Sequence, residues 1–190
     1  MNRIVLTFVA LAATAVLAQE PSAPEALAPA AFKSALDSLS HLDYATRSAA
    51  SRTIRRVPAA QAVPLLAAAA GSHPDGYVRF RALVLLTGFN DPGTADVMRE
   101  AQINPNDRLR TVAYNFYEHA PDRSRLPSLL SALDSEVAEF VRPSLVRALA
   151  ALGDDERVQR VMLREVDRGE DFFRSAVIEA LGDFKARYAV

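Results

Sequence analysis

Five arginines, Arg47, Arg79, Arg110, Arg142 and Arg174, follow one another at steps of 32, 31, 32 and 32 residues, each set in the same apolar frame. A unit that short cannot bury its own apolar face, so self-similar copies stack and share one continuous core. One position before the arginine stand Thr46, Val78, Leu109, Val141 and Phe173, and three after it Ala50, Ala82, Ala113, Leu145 and Val177. Seven after it are Ile54, Leu86, Tyr117, Leu149 and Leu181, and ten after it Val57, Phe89, Ala120, Leu152 and Phe184. Offsets of −1, 3, 7 and 10 trace one face of an α-helix, so every unit opens with an amphipathic helix.

A breaker closes each of these helices: Pro58, the run Asn90-Asp91-Pro92-Gly93, Pro121-Asp122, Gly153-Asp154-Asp155 and Gly182-Asp183. Such residues supply turn geometry and helix caps. Second helices are predicted over 59–70, 94–103, 123–133 and 156–167, with apolar stripes that include Leu66, Met98, Leu126, Leu129, Val158 and Met162. Upstream, FKSALDSLSHL carries helical spacing at Phe32, Leu36 and Leu39, which suits an N-terminal capping helix. No segment alternates as a strand does. The expected fold is all-α, an α-α superhelix of about four to five helical hairpins.

The ends read differently. Arg3 precedes an apolar run from Ile4 to Ala18, with Val16 and Ala18 placed as a signal peptidase requires, so residues 1–18 are expected to be a secretory signal peptide. The run is shorter than the ~20 residues needed to span a bilayer, and no later stretch is long enough, so no membrane span is expected after cleavage. The product is placed in the bacterial periplasm or outside the cell. Residues 19–30, rich in proline and alanine, read as a linker, and residues 31–190 as the repeat domain. Its last repeat is incomplete, since Lys185–Val190 matches only the turn and the first residues of a second helix. That pattern raises the expectation that the chain is part of a longer protein.

The segments YVRFRALVLLTGFNDPG, FVRPSLVRALAALGDDE and FFRSAVIEALGDF share a frame of an aromatic or aliphatic residue, Val-Arg, Ala, Leu-Gly and Asp. In this frame the chain resembles the short HEAT-like repeats, the type also called phycobilisome-lyase-like, from about Tyr44 to the end. Arg108-Leu109-Arg110 and Ala45-Thr46-Arg47 depart from it. The resemblance implies a helical solenoid whose second helices line the concave side. Arg160 and Arg164, on one face of the fourth second helix, are on that basis candidates for a partner surface.

Chemistry is harder to find. With no cysteine, disulfides, thiolate metal sites and thiol nucleophiles are excluded together. Cleavage would move the net charge from −1 to −2, far from the basic balance of a nucleic-acid binder. His41, His73 and His119 have no partner at metal-ligand spacing. The HEAT-like di-iron hydroxylases need repeated His-Glu pairs, and this sequence has only Glu118-His119, reversed. Gly71-Ser72-His73 lacks strand-turn-helix context for a serine nucleophile. Tyr114 and Tyr117 fall on core offsets, with their hydroxyls expected at the surface, rather than on a stacking platform. Arg47, Arg52, Arg55 and Arg56 form a basic cluster that reads as a solvated helix face.

Each repeated arginine has an acid three or four residues before it, Asp43, Asp75, Asp107, Glu139 or Asp171, at a spacing that suits ion pairing between neighbouring turns, so the arginines are expected to make ion pairs within and between repeats. The reading is therefore a non-enzymatic, exported scaffold for an unidentified protein or peptide, with no cofactor, no metal and no nucleic acid. Its alternatives are an accessory repeat module of a longer protein whose catalytic domain lies beyond residue 190, or a phycobilin-lyase-like enzyme. A HEAT-like DNA glycosylase fits the charge worst.

Overall fold

The computed structural model describes residues 25–189; the expected signal segment and residues 19–24 of the linker lie outside them. The described residues form ten α-helices and no strand. These are α1 (Pro29–Asp37), α2 (Tyr44–Arg55), α3 (Ala59–Ser72), α4 (Gly76–Leu86), α5 (Thr94–Ala101), α6 (Asp107–His119), α7 (Leu126–Ser135), α8 (Arg142–Ala150), α9 (Glu156–Glu165) and α10 (Asp171–Asp183). The even-numbered helices from α2 on carry the repeated arginines, and the odd-numbered ones from α3 to α9 are the second helices of four hairpins. None is long and apolar enough to cross a membrane.

Packing follows a stack. First helices lie directly on one another, α4 on α6, α6 on α8 and α8 on α10, while each second helix packs against the following first helix, as α3 does on α4 and α7 on α8. Helix α1 covers α2 as the apolar spacing of Phe32, Leu36 and Leu39 predicts, and all three are buried. Ahead of it, residues 25–28 are extended and held in place: the Gln61 side chain accepts from the Leu27 N–H at 3.0 Å and donates to its carbonyl at 2.6 Å. The helix begins at Pro29, where a proline's missing N–H costs nothing.

One hydrophobic cluster runs from Phe32 through every unit to Ala180. Val78, Leu109, Val141 and Phe173, the five alanine or aliphatic residues three positions after their arginines, and Ile54, Leu86, Tyr117 and Leu149 are all buried in it. The outermost offset is looser. Ala120 is exposed because α6 stops at His119 and the backbone turns away at φ −130°, ψ 69°. A leucine moved from water into such a spine contributes about 1.5–3 kcal/mol, against about 0–1 kcal/mol for an exposed ion pair. Packing, and not the many charges, holds the stack.

Helix starts follow their caps. Asp43 accepts from the Thr46 N–H at 2.7 Å, Asp75 from Tyr77 at 2.8 Å, Asn106 from Arg108 at 3.0 Å and Asp155 from Arg157 at 2.9 Å. Helix α8 starts late, at Arg142 itself, with Pro143 in its first turn and Val141 at the N-cap.

Candidate functional site

The repeated arginines are the most regular polar feature, and the structure shows what they hold. Arg47 donates through Nη1 to the carbonyls of His41 and Leu42, both at 2.7 Å, and Arg110 does the same to Asn104 at 2.8 Å and Pro105 at 3.2 Å. The guanidinium thus ties the turn between two units to the helix that follows it. Six residues before the arginine, an acceptor side chain closes the same turn by taking the N–H two residues on. His41 Nδ1 accepts from Asp43 and His73 Nδ1 from Asp75, each at 3.1 Å, Asn104 Oδ1 from Asn106 at 2.9 Å and Glu136 Oε1 from Ala138 at 3.0 Å. At the last turn that position is Arg168, which cannot accept, and Gly169 adopts φ 81° instead. Two of the three histidines are therefore turn residues; the third, His119, lies on α6 with Nδ1 2.9 Å from the Asn115 carbonyl.

The expected pairing of each arginine with its upstream acid holds in only two units. Arg110 binds Asp107 at 2.7 Å, and Arg174 binds Asp171. Asp43 and Asp75 are occupied as caps, and Glu139 makes no pair with Arg142, because the late start of α8 leaves Glu139 outside the helix. The principal partners are instead acids at the end of the second helix. Glu136 takes a bidentate pair from Arg110, both bonds at 2.8 Å. Glu165, only 2% exposed, is met by Arg142 at 3.4 Å, Arg164 at 2.7 Å and Arg168 at 3.6 Å.

Burial pushes the Glu136 carboxyl up, but the hydrogen bonds from Arg110 and Ala138 and the charge of Arg110 outweigh it and hold the group below its ordinary range. Arg142 also lies over the Phe173 ring, 4.3 Å from its centroid. Arg147 reaches both ways along the stack, to Glu118 of α6 at 2.8 Å and to Asp183 of α10 at 2.9 Å.

Of the two candidate partner residues, Arg160 is exposed and only 3.6 Å from Glu156, one helical turn away. Arg164 is engaged by Glu165 and by Asp134 of the preceding unit at 3.1 Å. They share a helix face, yet Arg164 is part of the frame between units.

The aromatic pair of α6 is core as expected, with Tyr114 1% and Tyr117 2% exposed. The expectation for the hydroxyls fails at Tyr117, whose oxygen is buried without a hydrogen-bond partner. Helix offset fixes the side of the ring but not what its far end meets. Burial, with the charge of Glu136, pushes Tyr114 up to about 12.

The described surface carries several clefts, two of them of contrasting chemistry. An apolar cleft of about 620 Å³ lies between α9 and α10, lined by Leu163, Val166, Ile178 and Leu181 and edged by Lys185. A polar groove of about 410 Å³ lies between α2 and α4. Among the described residues, no group of three or more His, Asp or Glu side chains is placed to hold a metal ion.

Ion pairs within and between repeats are expected from the sequence, but the only acids it points to for the repeated arginines lie three or four residues upstream, whereas Glu136 lies 26 residues beyond Arg110 and Glu165 23 beyond Arg142. The signal that finds Glu136 is the column His41, His73, Asn104, Glu136, where every side chain accepts a hydrogen bond. A family model for HEAT repeats matches residues 32–116, from within α1 into α6. No curated protein matches the chain.

Proposed function

Because the chain is a HEAT-like repeat protein, we propose that it serves as a non-enzymatic scaffold, exported from the cell, which holds a protein or peptide partner on its helical surface. The observation that carries this reading is the unbroken core from Phe32 to Ala180. The interior is filled with apolar side chains, and the buried charges Glu136 and Glu165 are spent on joining the two helices of a hairpin, so what the molecule offers is a rigid, extended exterior. Rigidity lowers the ordering cost of association, and affinity then rests on a few anchors rather than on area. Exposed Phe140, Phe172 and Ile178 are anchors of the right kind, and exposed Arg160 offers a charged contact.

Export is supported by the arrangement of Arg3, the apolar run Ile4–Ala18 and the small residues Val16 and Ala18. Residues 19–30 act as a spacer ahead of the repeats in this reading. The test is affinity capture from an envelope extract with the product that starts at Gln19, followed by identification of what is retained. A stoichiometric protein partner is the expected result. Retention of nothing above background by a folded protein sinks the scaffold reading. N-terminal sequencing of the protein from the cell envelope checks export separately, with Gln19 expected as the first residue.

A further inference from the structure

Whole-chain charge conceals a strong segregation. Between Asp43 and Asp91 the sequence holds six arginines, Arg47, Arg52, Arg55, Arg56, Arg79 and Arg81, and a single acid, Asp75. The compensating acids all lie elsewhere in the chain. Among the described residues none of the six arginines makes an ion pair, whereas Arg110, Arg142, Arg147 and Arg174 of the later units all do. The basic cluster that reads from sequence as one solvated helix face is, in the structure, one wall of a groove.

That groove lies between α2 and α4, with a volume of about 410 Å³, and its lining includes Tyr44, Arg47, Arg52, Arg55, Tyr77 and Arg81. Neither helix contains an acid. The nearest carboxylates, Asp43 and Asp75, are turned onto the backbone N–H groups of Thr46 and Tyr77 as helix caps. At the floor, Ser51 is buried, donates to the Arg47 carbonyl at 3.0 Å and accepts from Arg81 Nη2 at 3.4 Å. Arg81 Nε is buried with no hydrogen-bond partner. Arg47 uses Nη1 on two turn carbonyls, and its guanidinium carbon stands 5.7 Å from the Tyr44 ring centroid. These side chains are positioned before any ligand arrives, and their charge is uncompensated.

We infer that this groove binds an extended, acidic peptide segment of a partner protein, its carboxylates taken by Arg47, Arg52, Arg55 and Arg81. This rests on the scaffold reading above and gives the partner's chemistry. The spacing selects among anions. Arg47 and Arg55 are eight residues apart on α2, about 12 Å along the axis. A single phosphate bridges only a fraction of that distance, whereas side chains on one face of an extended peptide recur about every 6.8 Å, so three carboxylates at alternate positions span the row. Guanidinium forks match carboxylates in bidentate geometry, and the two tyrosines add ring contact and hydroxyl donors.

The test is fluorescence anisotropy of a labelled decapeptide of alternating glutamate and alanine, titrated with the protein from Gln19 onward. Saturable binding is expected, weakened about tenfold or more between 50 and 500 mM salt and by a similar factor in the doubly reversed variant Arg52→Glu, Arg55→Glu. Both residues are exposed, so the variant keeps its helical circular dichroism, and the lysine counterpart of the peptide does not bind. Equal affinity of wild type and variant overturns the inference, as does tighter binding of inorganic tripolyphosphate or of phosphatidylglycerol vesicles than of the peptide. The envelope capture, run with both proteins, separates the two levels: a partner retained equally well by the reversed variant overturns the groove and leaves the scaffold standing.

Discussion

The bidentate pair between Arg110 and Glu136 is the place where an electrostatic contact in this stack carries measurable stability. Its side chains are 15% and 5% exposed, and Glu136 also closes the turn into α8 by accepting from Ala138. Removing one member of a buried pair costs about 3–5 kcal/mol when the survivor is left with nothing. Arg110 is not left with nothing, since Asp107 at 2.7 Å and the Asn104 carbonyl at 2.8 Å remain. Glu136→Ala, which also strips the turn of its acceptor, is therefore expected to cost about 2–3 kcal/mol. Glu136→Gln keeps the shape and the turn bond and loses the charge, for about 1–2 kcal/mol.

The decisive measurement is a double-mutant cycle with Arg110→Ala and Glu136→Gln, followed by urea unfolding with circular dichroism at low and high salt. Groups in one hydrogen-bonded pair couple by about 0.5–3 kcal/mol, and partial burial places this one near the middle of that range. Because the pair is shielded from solvent, most of the coupling survives 0.5 M salt. A coupling energy below about 0.5 kcal/mol, or one abolished by salt, refutes the argument that burial makes this pair differ from surface pairs.

Three further outcomes follow from geometry already described. Tyr117→Phe is expected to be neutral or to raise stability by up to about 1 kcal/mol, since it deletes a buried hydroxyl that has no partner, and a loss above that in urea unfolding disproves the assignment. Gly169→Ala forces a side chain into φ 81° with its Cβ 3.1 Å from Phe173 Cδ1, so about 1–2 kcal/mol of destabilisation is expected, read as a lower melting temperature. Acidification acts through carboxyls held below their ordinary values, among them Glu136, Asp43 and Asp122. Such groups stabilise the fold above the unfolded carboxylate range and lose that contribution as pH falls through their lower folded values. The urea midpoint is thus expected to hold from pH 7 to 5 and to fall below about pH 4, less steeply in Glu136→Gln.

The helices were legible because a 3.6-residue period set inside a 32-residue period leaves few alternatives, and Val78, Ala82 and Leu86 sit where their spacing puts them. Pair partners were less legible. A search within one turn reaches Asp107 from Arg110 but not Glu136, which only the hairpin brings back. Glu139 and Arg142 have pairing spacing on paper and lack it in space because Pro143 delays the helix. The groove between α2 and α4 was hidden by summing charge over the whole chain. A count restricted to residues 44–90 exposes it, since the six arginines there stand with a single acid, Asp75.

Arg147 bears on how such a molecule comes apart. Stacks of this type are described by terms within a unit and between adjacent units, and can fray one unit at a time from either end. A single guanidinium on α8 grips α6 on one side and α10 on the other, so one side chain carries an ionic contact to both of its neighbouring units. Peeling α10 away releases the Asp183 half of that grip and leaves the half on Glu118 in place, so the stack gives up its ionic ties in step with its units, one neighbour at a time.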